Sequence, residues 1–319
     1  MGLKLLFAAL ILVGSAAQAR AEPYHLIPGQ AGENKGPDGN TIVLDAPAGL
    51  IVVDTGRHPD HVQAIIHYAK QRRKPIAAIV NTHWHLDHTT GNWDIRKAYP
   101  RVRIYASTAL DGAVAGFFPA SRKGAQEFLK SGQASAAQRA EIERGFHVMD
   151  HPELLRPTNV VARSGPVTIA GRRLNVHLTR FAATEGDVWL YDPKSKTAIV
   201  GDLVVNIVPF MDTACPDGWS KALGAIAAIP FTTLIPGHGP IMDRADFTAW
   251  RAAYDNFVKC GHSTADKKEC VAGWERDAAK FIDDAHRDYV RQAADYYLTR
   301  RLRSSPREQQ KYCRPLKGS

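Results

Sequence analysis

One short segment holds four side chains of the types that bind metal ions. His83, His85, Asp87 and His88 fall within six consecutive positions, after an apolar run that ends at Val80. Imidazole nitrogens and carboxylate oxygens are common ligands of Zn²⁺, and three protein ligands leave a coordination position for water. The alternative is a loop with surface histidines. The pattern H-x-H-x-D-H after an apolar run favours the metal site.

The elements that must position this segment are predicted as alternating strands and helices. Residues 61–74 and 219–229 have helical periodicity, and short apolar runs predict strands. The predicted strands are residues 41–44, 50–53, 76–80, 103–106, 159–162, 167–169, 174–178, 188–191, 197–200 and 232–235. Because strands alternate with helices twice along the chain, we expect an α/β sandwich. Beyond residue 243 the pattern is helical to about residue 303.

Four ordered motifs resemble those of the metallo-β-lactamase superfamily of hydrolases. Each follows an apolar predicted strand, and together they cover about residues 40–240. The motifs are residues 50–56 (LIVVDTG), 83–88 (HWHLDH), 201–202 (GD) and 236–239 (PGHG). The resemblance implies a four-layer αββα sandwich, with metal ions between the edges of two sheets. The last motif would supply the final metal histidine, and the Gly-Asp turn would supply a metal-bridging carboxylate.

The resemblance also implies two neighbouring metal sites that bind one or two Zn²⁺ ions. Their ligands are His83 and His85 for the first site, and Asp87, His88 and His238 for the second, with Asp202 shared. Asp87 and Asp202 are therefore the implied catalytic carboxylates. Asp54 is expected to orient a ligand histidine through its other ring nitrogen, with a purely turn-forming role as the alternative.

One position departs from the family pattern. The family places a metal histidine in an H-T-x-G-D turn, whereas this chain has Ala183 at the start of A-T-E-G-D. Since a methyl group has no donor atom, we expect the first site to bind metal weakly and the second to be complete. His177, Glu185 or a water molecule are the alternatives for the missing ligand.

The implied function is hydrolysis of a small ester, lactone, thioester or cyclic amide, β-lactams included. A bound Zn²⁺ lowers the pKa of its water to about 7, which supplies hydroxide at neutral pH. The alternative, supported mainly by Ala183, is a degenerate metal-binding accessory protein with little hydrolysis. Trp84 and Phe210 are expected to line the substrate pocket, with core packing as the alternative.

The N-terminus predicts export. Lys4, an apolar run over residues 5–13 and small residues over 14–21 form the pattern of a secretory signal peptide, cleaved after Ala19 or Ala21. The apolar run is shorter than the roughly 20 residues that a membrane helix needs. We therefore expect a soluble periplasmic or secreted protein, with an uncleaved, membrane-tethered form as the alternative.

The cysteine count fits this compartment. The chain has four cysteines, and an even number in an exported protein predicts two disulfides. Cys260 and Cys270 flank a short polar loop, so we expect them to pair, which leaves Cys215 for Cys313. Metal binding by these thiols is the alternative, but the chain has no C-x-x-C pair.

Composition and charge limit the remaining possibilities. The chain has 319 residues, 45% hydrophobic and 23% charged, which excludes a disordered or fibrous protein. The net charge is +9, and residues 300–317 contribute seven basic and one acidic side chain, 7 − 1 = +6. This segment is interpreted as a solvated extension, and export argues against a nucleic-acid partner.

The predicted organisation has three parts. Residues 1–21 are the signal peptide, residues 22–242 form the metallo-β-lactamase-like domain with a helical insert around 107–155, and residues 243–319 form a helical extension with a basic tail. The expected partner is a small-molecule substrate, and no feature predicts an oligomeric state.

Overall fold

A six-stranded sheet and a five-stranded sheet form the centre of the molecule, a computed structural model that describes residues 23–30 and 35–314. The predicted signal peptide lies outside these residues. The six strands, in their order across the sheet, are β1 (His25–Ile27), β2 (Thr41–Ala46), β3 (Gly49–Val53), β4 (Ile76–Val80), β5 (Arg103–Ala106) and β6 (Asn159–Val160). The first three strands are antiparallel, and the pairs from β3 to β6 are parallel.

The second sheet is mostly antiparallel. Its strands are β7 (Gly165–Ile169), β8 (Arg172–Arg180), β9 (Gly186–Asp192), β10 (Thr197–Val205) and β11 (Thr233–His238), in the order β11-β10-β9-β8-β7. Only the pair of β10 and β11 is parallel within this sheet. As a result, β10 and β11 end on the same side of the sheet, where both carry side chains of the predicted site.

Helices cover the outer faces of both sheets. The α-helices are α1 (Pro59–Arg72), α2 (Leu86–Thr89), α3 (Asn92–Ala98), α4 (Leu110–Gly112), α5 (Phe118–Lys130), α6 (Ala136–Asp150), α7 (Pro216–Ala227), α8 (Arg244–Gly261), α9 (Lys267–Asp277), α10 (Arg287–Tyr297) and α11 (Pro306–Gln309). Two π-helical turns, Ala113–Phe117 and Leu298–Leu302, and three 3₁₀ turns, Pro152–Leu154, Ala279–Phe281 and Asp284–His286, complete them.

The buried apolar side chains define four layers. Ile51 of β3 and Leu190 of β9 lie in one cluster between the two sheets. Val52 of β3 packs on the other face of its sheet, together with Ile65 of α1. Trp219 of α7 belongs to the large cluster between the second sheet and the helices α7 to α10. The arrangement is therefore the predicted αββα sandwich.

The strand limits differ from the predicted ones where side chains of the site are involved. The Gly-Asp motif was expected as a turn after a strand, but β10 continues through it with a register shift at Gly201. Gly201 has a φ of 52°, and a Cβ there would lie 2.5 Å from the Cβ of Thr82. Glycine is required because β10 passes this close to the metal loop. The structure also adds β1, whose three residues carry too little pattern to predict.

Both predicted disulfides are present. Cys260 pairs with Cys270 across the loop between α8 and α9, and Cys215 pairs with Cys313 beyond α11. The second bridge connects the start of α7, in the sandwich, with the end of the C-terminal helical region. Within the described ranges, no helix has the length and apolar character needed to cross a membrane.

Candidate metal centre

The candidate ligands come from three elements that meet at one edge of the sandwich. The loop after β4 carries His83 and His85 and continues into α2, which holds Asp87 and His88. Asp202 lies in β10, and His238 is the last residue of β11. The Asn40 side chain donates to the carbonyl oxygens of Pro236 and Gly239, at 3.0 and 2.9 Å, and so anchors the β11 end of the site to the first sheet.

Four donor atoms converge in this site. The Nε2 atom of His88 lies 3.2 Å from His238 Nε2, 3.1 Å from Asp202 Oδ1 and 3.6 Å from Asp87 Oδ2. His238 Nε2 lies 3.1 Å from Asp87 Oδ2 and 3.5 Å from Asp202 Oδ1. A tetrahedral zinc site with bonds of about 2.0–2.1 Å places neighbouring ligand atoms roughly 3.3–3.4 Å apart. The atoms of Asp87, His88 and His238 therefore fit the ligand shell of one such ion, with Asp202 Oδ1 beside them.

A second group of donors overlaps the first. His83, His88 and Asp202 bring their ligand atoms within 4.8 Å of one another, and all three residues are buried. His83 Nε2 is 3.6 Å from Asp202 Oδ2. Among the described residues, His83 Nε2 and Asp202 Oδ1 have no hydrogen-bond partner, although both are buried. Because unpaired buried polar atoms are costly, these two atoms fit a bound cation.

Asp54 orients His88 from the side opposite the site. Its Oδ2 lies 2.8 Å from His88 Nδ1 and accepts from the Thr82 hydroxyl at 2.7 Å, while Oδ1 accepts from the Thr82 backbone N–H at 2.8 Å. Asp54 follows β3 with a φ of 58°, which is uncommon for a non-glycine residue. Since the carboxylate accepts the Nδ1 proton, the neutral ring of His88 has its lone pair on Nε2, the atom that faces the other donors.

The buried charges shift the pKa values of the site in opposite directions. Burial would raise the pKa of Asp87, but the charge of His88 and a hydrogen bond from His238 hold it well below its usual range. Burial would lower the pKa of His88, yet Asp202, Asp54 and Asp87 raise it. The pKa of His85 falls to about 4, mainly through burial. Both Asp87 and its neighbour Asp202 are therefore ionised at neutral pH.

His85 belongs to neither donor group. Its Nε2 lies 3.0 Å from the hydroxyl of Thr213, which is also 3.0 Å from the Ala183 carbonyl oxygen. The two proposed substitutes for the missing ligand are elsewhere: His177 stacks on Trp189 with ring centroids 3.7 Å apart, and Glu185 joins no donor group in the described chain. Thr213 was not predicted, because it is 128 residues from His85 and no local pattern connects them.

The two predicted pocket residues differ in exposure. Trp84 is 8% exposed and packs against Phe117 and Phe118 of the insert, with ring centroids 5.1 and 5.5 Å away. Phe210 is half-buried, and its ring centroid is 5.2 Å from that of His85. Trp84 therefore belongs to the core under the insert, whereas Phe210 has surface beside the metal loop.

A cluster of charged groups beside Asp87 was also not predicted. Arg57 Nη2 is 3.7 Å from Asp87 Oδ1, and its Nη1 donates to Glu141 of the insert. His58 lies between Asp38 Oδ2 at 2.8 Å and Glu141 Oε2 at 3.3 Å. Arg57 and His58 directly follow the D-T-G motif, which is a local signal. No local sequence signal indicates Glu141, because this residue lies on helix α6 of the insert, far from Arg57 in the sequence.

This cluster predicts a pH-dependent contribution of His58 to stability. Hydrogen bonds with Asp38 and Glu141 raise the pKa of His58 from 6.5 to about 9, so the stabilisation is complete below pH 6.5 and is lost as the pH rises through 9. Because solvent screens these pairs, we expect His58→Asn to lower the free energy of unfolding of the metal-free protein by about 1 kcal/mol at pH 6. At pH 10 the loss should be much smaller.

Urea denaturation at both pH values measures this difference. The matched control is His67→Asn, which changes an exposed histidine on α1. An equal loss of stability at the two pH values would contradict the assignment of a charged His58.

Comparisons with known proteins agree with this architecture. Residues 35–258 match the sequence model of the metallo-beta-lactamase superfamily. A linear primary-alkylsulfatase of Pseudomonas sp. (strain ATCC 19151) is 29% identical over 229 residues, 63% of this chain and 42% of that protein. The chain thus spans less than half the length of this relative.

Solved structures show the same fold at low sequence identity. A metallo-beta-lactamase family protein from Thermus thermophilus has a TM-score of 0.58 and 16% identity, over 86% of this chain and 93% of that chain. A stereoselective inverting sec-alkylsulfatase from Pseudomonas sp. has a TM-score of 0.54 and 19% identity, over 81% of this chain and 47% of that chain. Since the family match covers well over half of the chain and contains every residue of the two donor groups, this protein belongs to the metallo-beta-lactamase superfamily.

Proposed function

We propose that the protein is an exported, zinc-dependent hydrolase of a small molecule. The observation that carries this proposal is the convergence of Asp87, His88, Asp202 and His238, whose donor atoms approach one another to 3.1–3.6 Å. Two imidazoles and two carboxylates suit Zn²⁺ better than the all-oxygen sites of Mg²⁺ or Ca²⁺. Export rests on the N-terminal sequence pattern alone.

The residues of the site have separable roles in such a reaction. A zinc ion bound by these donors supplies a Lewis acid and lowers the pKa of water to about 7. Asp54 keeps the His88 lone pair on Nε2. Asp87 and Asp202 remain ionised, so they contribute negative charge as ligands. Asp87 and His238 have 13% and 19% of their side chains exposed, compared with 0% for His88, so we infer that substrate reaches the centre from their side.

The surroundings favour a substrate with an apolar part. Phe210 and Phe117 flank the His85 ring at centroid distances of 5.2 and 6.4 Å, and Phe210 is 6.2 Å from Tyr297 of α10. Tyr296, beside it, is 44% exposed. These rings place aromatic surface beside His85, in the metal-binding segment. Small esters, lactones, thioesters and cyclic amides with an apolar substituent fit this description.

A sulfate ester is the second candidate substrate. The similarity to a linear primary-alkylsulfatase favours it, since an alkyl sulfate combines an anionic ester with an apolar chain. Both candidates require the same centre. The alternative to hydrolysis is an accessory protein that binds metal without turnover.

A substrate panel distinguishes these possibilities. The zinc-loaded protein is assayed with a chromogenic cephalosporin, an aryl ester, a lactone, a thioester, a phosphodiester and a linear alkyl sulfate. We expect turnover of one ester class that disappears when a chelator removes the metal. Full zinc occupancy without turnover of any of them would favour the accessory protein.

Metal analysis tests the centre itself. We expect between one and two zinc ions per chain, and a lower content after His238→Ala, because that change removes one of the four converging donors. His67→Ala on the exposed face of α1 is the control and should leave the content unchanged. A metal content near zero in the zinc-replete wild-type protein would remove the hydrolase proposal.

A further inference from the structure

Thr213 makes two hydrogen bonds that together determine the state of the His85 ring. Its side chain is buried, and Oγ1 lies 3.0 Å from both His85 Nε2 and the Ala183 carbonyl oxygen. A carbonyl oxygen only accepts, so the single hydroxyl proton of Thr213 is donated to Ala183. The hydroxyl oxygen is then left to accept the proton on His85 Nε2.

This direction of hydrogen bonding has a consequence for the neutral imidazole. When Nε2 carries the proton, the lone pair is on Nδ1, which becomes the only atom of the ring that is able to bind a cation. His88 has the opposite arrangement, with Nδ1 bonded to Asp54 and Nε2 facing the donors. His85 and His88 are thus held in different tautomers by different partners.

We propose that Thr213 is a positioning residue that fixes the tautomer of His85 and so makes Nδ1 available to a metal ion beside His83. The proposal rests on the proposed metal site but not on hydrolysis. The rings of His83 and His85 are in edge contact, with centroids 4.4 Å apart, so His85 lies next to the donor group that contains His83. Ala183 takes part through its backbone, as the acceptor that orients the Thr213 hydroxyl.

The loop that carries Thr213 is fixed by the C-terminal helical region. The next residue, Ala214, accepts a buried hydrogen bond of 2.6 Å from Arg301 Nη2, and Cys215 is bonded to Cys313. On its other side, the Cys215 N–H donates to the Ala182 carbonyl at 2.8 Å. The C-terminal region therefore contributes to the metal centre through Thr213, without providing a ligand.

The experiment reads the imidazole before any metal is added. Long-range ¹H–¹⁵N NMR spectra of the metal-free wild-type protein, with His85 assigned from a His85→Gln spectrum, should show the tautomer protonated at Nε2. In Thr213→Val, which keeps the shape but has no hydroxyl, we expect a mixture of tautomers. Thr213→Ser should restore the single tautomer.

Zinc competition with a chelator is the second readout. We expect the weaker zinc affinity to fall about 10- to 100-fold in Thr213→Val, the usual effect of removing the partner of a metal ligand, and to return with serine. Thr90→Val is the matched control, since the described residues offer its buried hydroxyl no hydrogen-bond partner. It should change neither readout.

Several results would overturn the proposal. If His85 of the wild-type protein is protonated at Nδ1, the proposal is wrong. This result needs no variant, so it also decides the question if Thr213→Val fails to fold. An unchanged tautomer together with unchanged zinc affinity in Thr213→Val overturns the proposal as well. Absence of turnover in a protein that binds zinc and shows the expected tautomer contradicts only the proposed hydrolysis.

Discussion

Replacing His88 by alanine is expected to abolish metal binding and any hydrolysis together. His88 is the member shared by both donor groups, and its Nε2 lies within 3.6 Å of Asp87, Asp202 and His238 atoms. Removal of a partner of a ligand typically weakens metal binding 10- to 100-fold, so removal of this central ligand should exceed about 100-fold. Zinc competition and turnover of the best substrate measure the two losses.

Two other variants make this result specific. His88→Asn retains an amide N–H near the position of Nδ1 for Asp54, so it should lose the metal but keep more thermal stability than His88→Ala, which leaves a buried carboxylate short of a donor at a cost of about 1–3 kcal/mol. His85→Ala should lose less metal affinity than either, because His85 is in neither donor group. If His85→Ala lost all metal and His88→Ala retained it, the assignment of the centre would be wrong.

Local patterns predicted the elements that form the centre. The apolar run of β4 ends directly before the His-rich segment, and both lie where the periodicity and motif spacing placed them. The runs of β2, β3 and β5 were equally clear, because buried strands need continuous apolar sequence. Such signals depend only on neighbouring residues, so a single sequence contains them.

The contacts that complete the centre are not local, and the sequence does not contain them in readable form. Thr213 reaches His85 across 128 positions, and Glu141 reaches Arg57 across 84. Each depends on the packing of a loop or an insert against the sandwich. The continuation of β10 through Gly201 was missed for a related reason, since a Gly-Asp pair predicts a turn unless a close neighbour such as Thr82 requires the glycine.

The Cys215–Cys313 bridge is expected to be the larger of the two disulfide contributions to stability. It spans 98 residues, whereas Cys260–Cys270 spans 10. The chain-entropy model gives about 4.7 kcal/mol for a loop near 100 residues and about 3 kcal/mol for one near 15. Replacing both members of each pair with serine should therefore lower the free energy of unfolding by about 4 and 2–3 kcal/mol respectively, measured by urea denaturation.

The same two double variants separate stability from positioning. Cys215 lies two residues after Thr213, so loss of its bridge should loosen the loop that fixes His85 and lower the weaker zinc affinity. The Cys260–Cys270 bridge joins α8 to α9 and includes no residue of this loop, so its loss should leave zinc affinity unchanged in protein that is still folded. Equal zinc affinities in both double variants would show that the C-terminal bridge stabilises the fold without acting on the metal centre.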